Sequence, residues 1–400
     1  IFYEDADNTG TFSNVDNDDN SNLDVATDAI RGTTATIDYN DSPQSFTVTN
    51  DFGVIDMDEA SVGDEWNSGE TLAVILTDQD LNKNTWLDED LTLADPSGQQ
   101  AGSDLIPSMQ IGSPLSLTAG TSTSTASSMI DNISNATIQS FSKIAIATTA
   151  GSDTTAQAGQ LAINTGILIS DLRTADTAAD YTFLNYDVTS LVNAAVTAVT
   201  IEADDHTLGA TVAANSGDGK RDLLQLTSLV TNANGFLDAD YLRVNFTVAS
   251  ASSVTVGDRF YVDIFTFGDG PTVDDRVNNA IYRFELEETD NNTGTFIGEV
   301  EYVMLNQLNV DAVSTFSGIT PTSDDVVIIV HEDLTDEDSP RINYNDLGAD
   351  GVITQVADQV AAPSHSGVVS FDSDNYKKAD TVVVTLEDQD LNVDSDLIDV

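Results

Sequence analysis

Four hundred residues carry 68 acidic side chains against 13 basic ones, a formal net charge of −55. That balance excludes nucleic acid as a partner, because phosphate binding needs clustered Lys and Arg, and points to cations: calcium first, then magnesium or small soluble ions such as ammonium. Hydrophobic residues make up 40% of the chain, enough to bury real cores despite the charge, and the length accommodates about two to four domains.

Of the acids, 54 are Asp and 14 are Glu. Asp favours turns, caps and hard-metal sites over helix interiors, so the skew predicts many loops between strands. There is no cysteine, hence no disulfide and no thiolate metal site; calcium is the expected staple in its place. No apolar run reaches the roughly 18 residues that a membrane span needs. The start, IFYEDADNTGTF, reads like the middle of a domain, so the chain is expected to be an internal piece or the mature form of something longer.

Taken in chain order, the first landmark is NTGTF at 8–12, which follows the acidic strand FYEDAD. VDNDDNSNLD at 15–24 then places Asp16, Asp18, Asn20, Asn22 and Asp24 at alternate positions. IDYND at 37–41 and GVIDMD at 53–58 come next, then the strand TLAVILT and the acidic DQDLN at 78–82. From about 101 to 253 the composition changes to Ser, Thr and Ala with few charges, which marks an insertion. Two helical patches are expected inside it, one through Ile130, Ile133, Thr137, Phe141 and Ile144, the other through Leu191, Ala195 and Val199. YLRVNFTVA and RFYVDIFTF alternate as strands with one buried face would. After YRFELEE the landmarks return in the same order: NTGTF at 292–296, INYND at 342–346, GVVSFD at 367–372 and DQDLN at 388–392, at offsets of 284 to 314 residues. The β-branched runs DVVIIVHE and TVVVTLE lie among them.

The fold expected from this pattern is all-β: tandem immunoglobulin-like β-sandwich domains with a Ser/Thr/Ala-rich insertion. Residues 1–50 form the end of one unit, 51–100 plus 254–348 a complete one, 101–253 an inserted, mainly β domain, and 349–400 the start of a further unit.

The order "strand, DxDLN, acidic loop, strand, ETxxNTGxF, strand, YxD" resembles the immunoglobulin-like repeats of surface-layer proteins from ammonia-oxidising archaea. The residues that carry the resemblance are Asp78, Asp80, Leu81 and Asn82, their counterparts Asp388, Asp390, Leu391 and Asn392, the segments 8–12 and 289–296, and Tyr39 and Tyr344. They cover roughly the first 100 and last 120 residues. The resemblance implies a secreted protein that tiles into a porous, cation-rich two-dimensional lattice over the cell, with copies of itself and soluble cations as partners.

Read from the residues, Asp388, Asp390, Asn392, Asp394 and Asp396 occupy every other position. In an extended segment their oxygens point to one side and supply much of a calcium shell. The first copy offers Asp78, Asp80 and Asn82, then Asp88, Glu89 and Asp90. The pattern departs from an EF-hand loop, because Lys83 and Val393 stand where its turn glycine belongs. The competing reading of all these acids, Asp16 and Asp18 included, is a solvated face in a protein adapted to salt; Asp333, Asp336 and Asp338 are assigned to such a face. His206, His331 and His365 lie in unrelated contexts, and no HExxH, GxSxG, P-loop or dinucleotide motif occurs. PSHSG at 363–367 reads as a linker. Five sequons, at Asn40, Asn132, Asn135, Asn245 and Asn291, are candidate glycosylation sites. A structural, non-enzymatic role leads; a calcium-rigidified adhesin stalk and a secreted halophilic enzyme stay open beside it.

Overall fold

The computed structural model describes the chain apart from residues 16–20, 27–28, 83–85, 94–105, 115–128, 131–142, 146–159, 179, 190, 193, 204–205, 214–217, 227–234, 249–258, 269–275, 349, 395–397 and 399–400. It is mostly β, built of several antiparallel sheets with few helices.

One core belongs to the units that flank the insertion. In the strand Thr71–Thr77 the residues Leu72, Val74 and Leu76 are fully buried while their neighbours are partly open, the period of a half-buried strand. This strand pairs with Val54–Asp58 on one side and with Thr295–Met304 on the other. Beyond these, Glu287–Glu288 and the parallel Asp325–Val330 complete the sheet. The facing sheet runs Val277–Phe284, Ser108–Ile111, Arg341–Leu347, Ile353–Gln359. Trp66 plugs one end of the core, edge-on to Tyr302 with ring centroids 4.7 Å apart. Residues 353–359, grouped by sequence with the following unit, pair with 341–347 in the complete one.

The insertion has a second core. One of its sheets runs His206–Ala213, Val196–Ala203, Tyr241–Val248, Gln160–Leu168, Met129–Ile130; the other contains Arg221–Gln225, Tyr181–Asp187 and Arg259–Gly268. That second sheet continues into the flanking unit, because Arg259–Gly268 also pairs with Val277–Phe284. Its strands therefore feed two cores. Phe183, Tyr261, Phe265 and Phe267 enter the first core, while Leu184, Tyr186, Val262 and Ile264 enter the second. RFYVDIFTF is thus buried on both faces over its described side chains rather than on one, the continuous apolar run of a covered sheet.

The same seam holds a buried ion pair. Arg283 donates from Nη1 to Asp263 Oδ2 at 2.5 Å and from Nη2 to Oδ1 at 3.1 Å. Burial raises the pKa of Asp263, and Arg283 pulls against it. Beside it, Arg221 forks onto Glu285 at 2.6 Å from each of two nitrogens and donates to Asp187 at 2.7 Å.

The helical expectations fail where they can be read. Val199 lies in the strand Val196–Ala203, and Leu191 and Ala195 precede it outside any helix. Around the first patch, Met129–Ile130 and Lys143–Ala145 are strands, and 131–142 lie outside the described residues. A helix stands instead at Ile169–Ala178, anchored by the buried Ile169 and Leu172. Among the described residues, no helix is long and apolar enough to cross a membrane.

Candidate functional site: the DQDLN turns

The two DQDLN segments share one backbone. Each is a single 3₁₀ turn, Gln79–Leu81 and Gln389–Leu391, entered through an extended Asp at φ −153°, ψ 109° (Asp78) and φ −158°, ψ 110° (Asp388). In both, the first Asp caps the turn. Asp78 Oδ1 accepts the Asp80 N–H at 2.9 Å, and Asp388 Oδ1 accepts the Asp390 N–H at 3.2 Å. Asp side chains compete for nearby backbone donors in this way, which bends the segment. The expectation of an extended stretch with all its oxygens on one side is therefore corrected.

The third letter ties down the linker that enters each unit. Asp80 Oδ2 accepts the Asp51 N–H at 2.9 Å. Both carboxylate oxygens of Asp390 lie 2.9 Å from the His365 N–H. Asp51 and His365 each stand two residues before the glycine of the GV landmark. That glycine has a steric reason. A Cβ on Gly53 would lie 2.9 Å from Tyr344 Cε1 and 3.3 Å from Asp78 Oδ2, and one on Gly367 would lie 2.6 Å from Asp388 Oδ2.

In the complete unit all four landmarks meet at this point. Tyr344 of INYND donates its hydroxyl to Asp78 Oδ2 at 2.5 Å. Gln79 Nε2 donates to the Thr293 carbonyl at 2.8 Å, and Asn82 Nδ2 donates to Asn292 Oδ1 at 3.0 Å, which fastens the turn to NTGTF. Asn292 and Gly294 both adopt positive φ. The Gly294 N–H is held by Glu288 Oε1 at 2.7 Å, as the Gly10 N–H is held by Glu4 Oε1 at 2.8 Å in the first copy.

Four carboxyl groups, on Asp51, Asp78, Asp80 and Asp346, influence one another here. Burial raises Asp78, and the Tyr344 hydroxyl opposes the shift. Asp346 is buried with no regular hydrogen bond to either oxygen; burial raises its pKa too, against a pull from the Gly53 N–H. Asp80 is pushed up to about 6, by burial first and then by the charges of Asp78, Asp346 and Asp51. An unfolded Asp titrates near 4, so the protonated Asp80 stabilises the fold at low pH. That contribution is lost as pH rises through about 6. Relative to Asp80→Asn, the urea midpoint of the wild type should fall between pH 4 and 6.5 and then level off. A difference that does not change with pH would refute the assignment.

The second turn also reaches back onto the preceding unit. Ser68 Oγ donates to the Asn392 carbonyl at 2.7 Å, and Asn392 Nδ2 donates to the Ser68 carbonyl at 2.9 Å. Asn306 Nδ2 donates to the Asp390 carbonyl at 2.9 Å. The His365 ring lies 3.3 Å from Asp390 and 3.4 Å from Glu65. The Tyr302 hydroxyl donates to the Pro363 carbonyl at 3.0 Å, so the PSHSG linker is fastened along its length.

The remaining candidates disperse. Asp88 and Asp90 are exposed on a segment that runs beside Glu287–Glu288. Asp394 adjoins Gly69 through its backbone nitrogen. Asp16, Asp18 and Asp396 lie outside the described residues, as do the sequons Asn132 and Asn135. Asn40 and Asn291 sit in exposed turns. Asn245 is mid-strand, its Nδ2 3.3 Å from Glu202 Oε1. Among the described residues no three His, Cys, Asp or Glu side chains are grouped to hold a metal ion. A cavity of about 410 Å³ opens at the seam of insertion and flanking unit, lined by Asp187, Arg221, Tyr261 and Pro321 among others.

Ser68, Asp51 and His365 escaped the sequence reading. The signal was positional: 51 and 365 match in the repeat frame, but the backbone N–H is what is used there, so the side chains differ. No family model matches the chain, and no curated protein matches it.

Proposed function

We propose that this chain is a structural segment of a cell-surface protein of the surface-layer kind, in which tandem immunoglobulin-like units form a porous, acidic lattice. The observation that carries the reading is the double hydrogen bond between Ser68 and Asn392, which fastens the acidic turn of one unit to the unit before it. A motif used to hold successive repeats in fixed relation suits a scaffold, and the motif order resembles that family.

Cations act in this account as counter-ions between copies rather than as ions chelated inside the turns. A net charge of −55 opposes lateral packing, and divalent ions between facing carboxylates remove the repulsion. The remaining acids give pores a negative potential that admits cations, ammonium included, and repels anions. At about 0.5 M salt the screening length is about 4 Å, so only narrow, densely lined pores select.

Electron microscopy of the purified protein, before and after millimolar calcium and with a chelator control, tests the reading. Ordered sheets that dissolve in chelator are expected. Stiff single rods would favour an adhesin stalk, and no response to calcium would remove the cation from the account.

A further inference from the structure

Asp346 is the odd member of the acidic group around the first turn. It lies on the strand Arg341–Leu347, two residues past Tyr344 and on the same face, and is 1% exposed. Neither of its carboxylate oxygens has a hydrogen-bond partner. The Gly53 N–H pulls on the group without making a regular bond. The charges that reach it, those of Asp78, Asp51 and Asp350, are all negative. A buried carboxylate without a donor is costly, and folded proteins rarely keep one.

The surroundings leave space beside this group. A Cβ on Gly53 would stand 3.3 Å from Asp78 Oδ2 and 3.4 Å from Asp346 Cβ, so the two acids flank one glycine. A Cβ on Gly348 would stand 3.2 Å from Asp346 Oδ2 and 2.7 Å from Phe52 Cε1, so the Phe52 ring closes the other side. Asp51 and Asp80 are exposed at the rim. Asp80 spends Oδ2 on the Asp51 N–H, and Asp51 spends Oδ1 on the Phe52 N–H, which leaves one oxygen of each for a further partner.

Three kinds of partner satisfy an orphaned carboxylate. A water donates to it but offsets none of the neighbouring negative charge. A proton neutralises it, and the new hydroxyl then needs an acceptor of its own. A hard cation does both, and carboxylate oxygens are the ligands that calcium takes.

We propose that Asp346 is the inner ligand of a calcium ion held between the end of its strand and the entering linker, with the free oxygens of Asp80 and Asp51 at the rim. Among the described residues the carboxyls do not form a closed protein shell, so water completes the coordination. The ion lies outside the capped turn and inside one copy, apart from the counter-ions between copies. The inference deepens the cation part of the reading above and rests on it for the choice of ion. The linker is already pinned by the Asp51 N–H on Asp80, so the ion adds stability without setting a new arrangement.

Equilibrium dialysis of the full chain against radioactive calcium tests the site. About 0.5 M sodium chloride is present, where screening acts over about 4 Å and weakens diffuse binding to surface acids. The wild type is compared with Asp346→Asn and with Asp374→Asn, which removes the same charge from an exposed position. The affinity of the tightest calcium should fall at least about tenfold in Asp346→Asn and stay unchanged in Asp374→Asn. In chelator the urea midpoint of Asp346→Asn should equal or exceed that of the wild type, because the orphaned charge is gone. Equal calcium affinity in the wild type and Asp346→Asn, or an Asp346→Asn chain less stable than the wild type in chelator, would overturn the site. Sheets that still assemble with calcium would then leave the lattice reading standing, whereas a confirmed site without sheets would count against the lattice alone.

Discussion

Replacing Arg283 with Met is expected to destabilise the protein by about 3–5 kcal/mol, the usual effect of leaving one member of a buried ion pair alone. Both groups are almost fully buried, and Asp263 has only a long 3.5 Å contact from Asn185 Nδ2 besides Arg283 among the described residues. The pair sits where the sheet of the insertion joins that of the flanking unit, so the loss should reach both cores. The double variant Arg283→Met with Asp263→Leu should recover much of the stability, because an apolar pair of similar volume avoids the desolvation of both ions. Urea denaturation at neutral pH measures all three chains. A single variant within about 1 kcal/mol of the wild type would show that the seam is not held this way.

The second large effect concerns the meeting point of the landmarks. Tyr344→Phe keeps the buried ring and removes the hydroxyl that Asp78 accepts at 2.5 Å. A hydrogen bond to a charged group contributes about 1.5–3 kcal/mol, and that is the expected loss near pH 7. The loss should shrink at pH 4. The hydroxyl lowers the pKa of Asp78, so it favours the carboxylate over the acid, and protonation removes part of what it contributes. Urea midpoints at the two pH values decide the matter. A penalty that is the same at both would show that the hydroxyl does not act through the protonation of Asp78.

How much of this was legible in the sequence follows from what each feature depends on. The all-β class and the four landmarks were legible because they rest on side-chain type: β-branched alternation, Asn and Gly at positive φ, an Asp that caps. Their convergence was not, since 266 residues separate Tyr344 from Asp78. The extended geometry expected of DQDLN gave way to one local competition, in which a backbone N–H draws the first Asp oxygen into a capped turn. The 191–199 periodicity misled because Leu191, Val196 and Val199 are buried in a loop and a strand of the second core, spacings that also satisfy a helical template. Ile169–Ala178 was missed because ISDLRTADTA is mostly polar. The seam hid in plain view, since YTFLNYD and RFYVDIFTF carry apolar residues on both faces.

The central claim is that the DQDLN turn holds successive units in fixed relation through hydrogen bonds, from Asn392 to Ser68 and from the His365 N–H to Asp390. Small-angle X-ray scattering in chelator, on the wild type and on Asp390→Ala, tests it directly. The wild type should give the same profile with and without calcium under dilute, non-assembling conditions, and Asp390→Ala should give a broader distance distribution, because the His365 N–H loses its acceptor. A wild type that broadens when calcium is withdrawn, or a variant whose profile superposes on it, would contradict the account.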